Sequence, residues 1–316
     1  MSLSQMISVV TPVYNTEQYL PECIESVLSQ TYRPLEYIIV DNCSTDRSAE
    51  IAESYARRND SIRVLRNDRH LGVLQNWNHA MRQISPDSRY CKVVHADDWL
   101  FPECIGRMAE LAEAHPTVGI VGSYRLEEAK VGCDGLPYPS TVVSGRELCR
   151  SRLRGGSYVF GSPTSLLIRS DLIRARKCFY NEENLHADNE ACYDLLRESD
   201  FGFVHQVLTF TRRHNESVSS YAKRMNTYIL AELLILKKYG PLYLGEDEYR
   251  RIFGKRVKAY YRFLGRSVFQ RKGAEFWNFH RTGLKGLGVD ISVPQLGAAA
   301  AAALFSHALE TVKERV

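Results

Sequence analysis

The chain has 316 residues, with 41 Lys and Arg against 37 Asp and Glu, a formal net charge of +4. So even a balance excludes a protein built as a whole to hold nucleic acid, and the 44% apolar fraction is that of an ordinary globular chain. No window reaches about 18 uninterrupted apolar residues, so no membrane span is expected.

Met1-Ser-Leu-Ser-Gln-Met6 has neither a basic start nor a long apolar run and does not read as a signal peptide. Ile7-Ser-Val-Val10 is a short apolar strand that Thr11-Pro12 is expected to end. From Thr16 to Gln30, Leu20, Ile24, Val27 and Leu28 recur at helical spacing behind Thr16 as N-cap. Tyr37-Ile-Ile-Val40 is a second buried strand ending at Asp41, and Ser44-Thr45-Asp46 caps a helix carrying Ile51, Ala52, Tyr55 and Ala56. Ile62 to Leu65 is a third strand and Leu74 to Ile84 a helix. Cys91-Lys-Val-Val-His95 is a fourth strand closed by Asp97-Asp98, followed by a helix from Pro102 to His115 and a fifth strand from Gly119 to Leu126. Strands separated by helices of ten or more residues imply an α/β fold, a mostly parallel sheet with helices on both faces.

After residue 126 the regular alternation stops. Gly132 to Ser144 reads as loop, Ser165 to Arg169 and Phe203 to Arg212 as strands, and the acidic polar segment Asn181 to Asp194 lies between them. From Lys223 the chain is helical, which divides it into a domain over 1–222 and a helical appendage over 223–316. Within the appendage, Arg250 to Lys285 holds eleven Lys or Arg against the single acid Glu275, interleaved with aromatics such as Tyr260, Phe263 and Trp277. Such a stretch either lies on an anionic membrane surface or packs its aromatics inward and turns its cations to water. The eight cysteines form no CxxC pair, so they are expected to be reduced thiols in a cytoplasmic protein.

Ligands of a parallel sheet collect at the carboxyl ends of its strands. The polar groups Thr11 to Asn15, Asp41 to Asp46 and His95 to Asp98 each follow a buried strand directly, so the site is expected there. Neither GxGxxG nor a P-loop is present. Bound phosphates would then be neutralised by Mg²⁺ or Mn²⁺ on carboxylates, a job that suits Asp97-Asp98 unless Asp98 merely caps the next helix.

Ile7-Ser-Val-Val-Thr-Pro-Val-Tyr-Asn15, Ile39-Val-Asp-Asn-Cys-Ser-Thr-Asp46, Asn67 with Gly72 and Asn78, and His95-Ala-Asp-Asp98 together resemble the family 2 glycosyltransferases. Gly161-Ser-Pro-Thr-Ser-Leu-Leu-Ile-Arg169, the acidic segment at Asp188 and Thr211-Arg-Arg-His-Asn-Glu-Ser-Val-Ser219 extend the resemblance over residues 5–220. It implies a glycosyltransferase A fold, a nucleoside diphosphate sugar donor (most commonly UDP-linked), a divalent cation and inversion at the anomeric carbon. Residues 1–125 would bind the nucleotide sugar, and 126–222 would hold the acceptor and the base. The acceptor would be a glycan or a lipid-linked hydroxyl, reached from the inner face of the membrane.

Position by position, the resemblance implies Thr11, Pro12, Tyr14 and Asn15 around the base, Asp41 accepting a hydrogen bond from it, and Asn78 as a donor contact, while His95 is open between a donor contact, a second metal ligand and a packed strand-end residue. Asp97 would bind metal, with His214 reaching back toward it, and Asp98 would hold the sugar or ribose side. Arg212 and Arg213 would be candidates for phosphate. Asp188 would be the catalytic base, with Glu190 second. Three positions depart from the family pattern: His95 for an acid, Asn42 for a second aspartate, and Ala187-Asp188 for Glu-Asp. These departures keep open a nucleotide-sugar-binding protein without transferase activity. A nucleotidyltransferase would be expected to show a glycine-rich, basic phosphate loop near the first strand, which is missing.

Overall fold

The computed structural model describes residues 5–213 and 218–313. The chain forms two compact units, Met1–Arg213 and His214–Val316, divided at the end of the last strand rather than at 222.

In the first unit the strands are β1 (Ile7–Val13), β2 (Leu35–Asp41), β3 (Ile62–Arg66), β4 (Tyr90–Val93), β5 (Trp99–Leu100), β6 (Val118–Glu127), β7 (Lys130–Gly132), β8 (Val142–Val143), β9 (Leu166–Arg169) and β10 (Asp200–Thr211). Between them run α1 (Leu20–Leu28), α2 (Ser48–Ala56), α3 (Val73–Met81), α4 (Cys104–Ala114), α5 (Gly145–Leu153), α6 (Ser170–Arg174) and α7 (Ala187–Leu195). The sheet order is β3-β2-β1-β4-β9-β6-β10-β5, with β7 on β6 and β8 on β10. β1, β2, β3 and β4 pair in parallel, as do β6 and β10, while β9 runs antiparallel to both β4 and β6. All seven residues of β1 are buried, as a strand covered on both faces must be.

β1 does not stop at Thr11-Pro12; it continues to Val13, with Pro12 opposite Val40 of β2. β4 pairs with β1 only as far as Val10. Beyond that point β1 has a neighbour on one side alone, where a missing N–H is tolerated. Thr16 does not cap α1 with its hydroxyl. Its carbonyl accepts from Tyr19 and Leu20, and the helix begins at Leu20, where the apolar spacing starts, three residues later than an N-cap at Thr16 would place it. Asp46 does close the entry to α2, accepting the Ser48 N–H at 2.9 Å.

The second unit is helical: α8 (Val218–Met225), α9 (Thr227–Tyr243), α10 (Glu246–Phe269), α11 (Ala274–Gly286) and α12 (Val293–Lys313). Its core gathers Leu230, Leu233, Tyr260, Leu264, Phe276 and Leu284. His280 is fully buried there, its Nε2 on the Met225 carbonyl at 2.9 Å and its Nδ1 on the Tyr260 hydroxyl. The aromatics Tyr260, Phe263 and Phe276 therefore face inward. No helix among the described residues is long and apolar enough to cross a membrane.

Candidate active site

The parallel strands β1, β2 and β4 end side by side, and the loops that follow them build the site. Val13 lies opposite Asp41, and the Asn42 N–H donates to the Val13 carbonyl at 2.8 Å, so the first two loops start in register. They then cap each other. Asn15 N–H donates to Ser44 Oγ (3.0 Å), Thr16 N–H to Ser48 Oγ (2.8 Å) and Glu17 N–H to Asp46 (2.9 Å). In return Asn15 Oδ1 accepts from Thr45 N–H (2.8 Å) and Glu17 from Arg47 N–H (2.9 Å). Asn15 adopts the left-handed conformation (φ 51°) that an asparagine accepts readily.

On this frame Asp41 is completely buried, accepting the Ser44 N–H at 3.2 Å and facing Arg66 Nε at 3.4 Å. Tyr14 is 45% exposed, its ring centroid 4.4 Å from that of His70. An exposed aromatic pair at the rim of the strand ends is a platform for a flat ligand. His70 was not singled out by sequence reasoning; its only signal is a ring in the short polar loop after β3.

Asn42 explains its own departure from a second aspartate. Its Oδ1 accepts from Asn67 Nδ2 (2.8 Å) and Leu71 N–H (2.9 Å), while its Nδ2 donates to the Leu71 carbonyl (2.8 Å). A carboxylate has no donor for that last bond.

After β4, one ligand atom each from His95, Asp97 and Asp98 lies within 4.8 Å of the others. His95 is held by its N–H on Thr164 Oγ1 (3.1 Å) and by the Trp77 ring, whose centroid is 4.5 Å away. Its Nε2 is buried without a hydrogen-bond partner. Burial also lowers its pKa, which leaves a neutral ring and a lone pair to offer. The Asp98 carboxyl is pushed up to about 7, first by burial and then by the Asp97 charge, against the pull of Thr164, the Arg212 N–H and Arg125. An orphaned imidazole nitrogen and two mutually repelling carboxyls suit a divalent cation, which would pair the first and neutralise the others. Asp98 does not cap α4, from which β5 separates it; its Oδ1 accepts the Arg212 N–H at 3.0 Å, tying β10 to the motif.

α7 carries the second acidic site. Asp188 sits in its first turn, with its carboxylate taking the backbone N–H groups of Asp188 and Asn189. Burial raises its pKa to about 6, against those hydrogen bonds and the Arg125 charge. Arg125, on β6, therefore acts on both Asp98 and Asp188.

Several expected contacts belong to the scaffold instead. Thr11 is fully buried with its hydroxyl on Tyr37 (3.0 Å), and Pro12 is buried in β1, so neither is open to a base. Asn78 is 2% exposed; its Nδ2 donates to the Tyr180 carbonyl (2.8 Å) and its Oδ1 accepts the Tyr180 N–H (2.8 Å). Glu190 is 6% exposed and accepts from Asn181 (3.1 Å) and Asn184 (2.6 Å), which orders the loop before α7. Neither Asn78 nor Glu190 is placed to touch a substrate. Arg212 reaches Glu22 and the Asp97 carbonyl, and Arg213 pairs with Glu127, so both guanidiniums are engaged within the protein. His214 lies outside the described residues.

Residues 8–176, just over half the chain, match the model of the family described as Glycosyl transferase family 2. The glycosyltransferase GlyG of Streptococcus pneumoniae serotype 4 is 29% identical over 232 residues, covering 68% of this chain and 73% of GlyG. TarS 1–349 of S. aureus, solved with UDP-GlcNAc, superposes with a TM-score of 0.66 at 19% identity, over 89% of this chain and 80% of that one. The mannosyltransferase PcManGT from Pyrobaculum calidifontis, solved with GDP-Man and Mn²⁺, gives 0.55 at 14% identity, over 96% and 88%. The two structures establish the glycosyltransferase A fold, a mostly parallel mixed sheet with helices and a helical C-terminal region. With the family match spanning the strand-end loops that build the site, this chain belongs to glycosyl transferase family 2.

Proposed function

We propose that this chain is an inverting glycosyltransferase that moves a sugar from a nucleoside diphosphate sugar, UDP-linked, to a hydroxyl of a glycan or lipid-linked acceptor. The observation that carries the reading is the buried, unpartnered His95 Nε2 within 4.8 Å of the Asp97 and Asp98 ligand atoms, at the strand ends that also carry Tyr14 and Asp41. Residues 1–125 would hold the donor: Tyr14 and His70 stack the base, and the buried Asp41 carboxylate sets the loop behind them through the Ser44 N–H and Arg66. The part from 126 to the end of β10 would hold the acceptor and the base.

Asp97, Asp98 and His95 would hold the cation; the carboxylates suit Mg²⁺ or Mn²⁺, and the imidazole nitrogen favours Mn²⁺. When bound there, the ion supplies charge neutralisation for the departing diphosphate. Asp188 takes the proton of the acceptor hydroxyl as its oxygen bonds the anomeric carbon and the bond from that carbon to the diphosphate breaks. At about 6 its pKa makes it a stronger base than an ordinary aspartate while leaving it ionised at neutral pH. A single base acting on a direct displacement gives inversion.

Calorimetry with UDP and GDP, with and without Mn²⁺, on wild type and Asp97→Ala tests the donor half. Mn²⁺-dependent UDP binding that Asp97→Ala abolishes is expected; binding that survives the substitution removes Asp97 from the metal site.

A further inference from the structure

Helix α10 carries a surface that sugar transfer does not explain. Arg251, Lys255, Lys258, Arg262 and Arg266 are all exposed and follow one another at intervals of four, three, four and four residues. At 3.6 residues per turn those intervals put the five cations on one line along the helix. Phe269, three residues further, continues the same line and is 48% exposed. The row is about 27 Å long at 1.5 Å rise per residue.

No acid occurs from Tyr249 to Ala274. Among the described residues none of the five cations has an ion pair or hydrogen bond. Their neighbours off the line do: Arg250 pairs with Glu246, and Arg256 with Glu232 at 2.7 Å. The opposite side of the helix, with Ile252, Tyr260, Tyr261, Leu264 and Ser267, is buried. The aromatics are thus in the core, and what remains outside is a straight row of unpaired positive charge with one phenyl ring at its end.

We infer that this face of α10 seats the protein on an anionic lipid bilayer, the five cations against the headgroups and Phe269 entering the interface. Like charges one turn apart repel along the row, and a negatively charged plane relieves that repulsion along the whole length at once. A second copy presenting the same row is repelled. A duplex nucleic acid turns its phosphates away from a straight row and offers Phe269 nothing to enter, whereas the lipid interface takes an aromatic ring. The inference rests on the second unit alone and does not depend on the transferase reading.

The test is co-sedimentation of the full chain with phosphatidylcholine vesicles, with and without phosphatidylglycerol. It compares wild type, a variant with all five cations changed to Gln, and Phe269→Ala. All six positions are exposed, and unchanged circular dichroism confirms that the variants fold. Wild type is expected to pellet only with phosphatidylglycerol and to be released by salt. The five-Gln variant should bind at least roughly a hundredfold more weakly, and Phe269→Ala should bind several-fold more weakly while keeping its salt dependence. Failure of wild type to pellet overturns the inference, as does equal pelleting of wild type and the five-Gln variant. Binding of wild type to a single-stranded oligonucleotide but not to vesicles also overturns it. Vesicle binding requires no turnover, so its outcome stands whether or not sugar transfer is found.

Discussion

Asn78→Ala separates a scaffold role from a donor contact, because the two make opposite predictions. Asn78 sits on α3 and closes both main-chain groups of Tyr180, accepting from its N–H and donating to its C=O, each at 2.8 Å. The same Nδ2 reaches Cys178 Sγ at 3.0 Å and Glu182 at 3.1 Å. Tyr180 is itself 2% exposed, so water does not replace what the truncation removes. The Tyr180 C=O keeps the Cys178 thiol at 3.0 Å, but leaving its buried N–H unpaired costs about 1–3 kcal/mol, so the variant should lose on the order of 1–3 kcal/mol. Because the loop leads into α7, transfer should fall as Asp188 loses its setting, while nucleotide binding at Tyr14 and His70 stays near that of wild type. Urea denaturation gives the stability, and calorimetry with UDP and Mn²⁺ gives the affinity. Stability within about 0.5 kcal/mol of wild type, together with lost UDP binding, would refute the argument and return Asn78 to the donor site.

Other consequences are equally direct. Asp188→Asn should keep donor binding and lose transfer, and wild-type kcat/KM should fall as pH drops through about 6. A carboxyl whose folded pKa lies above its unfolded one stabilises fully below the unfolded value and loses that contribution as pH rises through about 6. Asp188→Asn should therefore be more stable than wild type at about pH 8, by on the order of 2–3 kcal/mol, and the gap should close in acid; a gap that does not move with pH contradicts the raised value. Lys92 is completely buried, with the Met108 thioether at 3.6 Å, and burial lowers its pKa. Such a group binds its proton more weakly when folded, so it lowers stability increasingly as pH falls. Lys92→Met should stabilise the protein at neutral pH by more than about 1 kcal/mol, and the gain should shrink as pH rises toward the ordinary lysine range; thermal denaturation across pH checks both.

The sequence made the first half of the fold legible because its strands are continuous apolar runs and its helices carry an unbroken apolar stripe. β2 was expected over Tyr37 to Val40 and runs Leu35–Asp41; the fifth expected strand, Gly119 to Leu126, is β6 over Val118–Glu127. What escaped had no periodicity to announce it. β5 is two residues long and exists because Trp99 and Leu100 pair with β10, with Trp99 stacked on Phe210 at 4.9 Å. The antiparallel direction of β9 depends on a crossover that no local pattern records. In the site, residue type picked out His95, Asp97 and Asp98, whose ligand atoms the fold brings within 4.8 Å of one another. It could not tell a polar side chain facing a ligand from one facing a buried main-chain group. Thr11, Asn78 and Glu190 are polar, follow or flank the right elements, and are committed to the scaffold.

The reciprocal caps between the loops after β1 and β2 bear on how the proposed donor pocket can change. Each cap joins residues about thirty positions apart, such as Asn15 with Thr45 and Glu17 with Arg47. Grafting one loop from a relative strands the partners of the other, exposing main-chain N–H groups that the native pairing closes. The two loops are therefore inherited, or engineered, as a single cassette. A change of donor that keeps one and replaces the other has to rebuild the shared lacing before it can alter what the pocket holds.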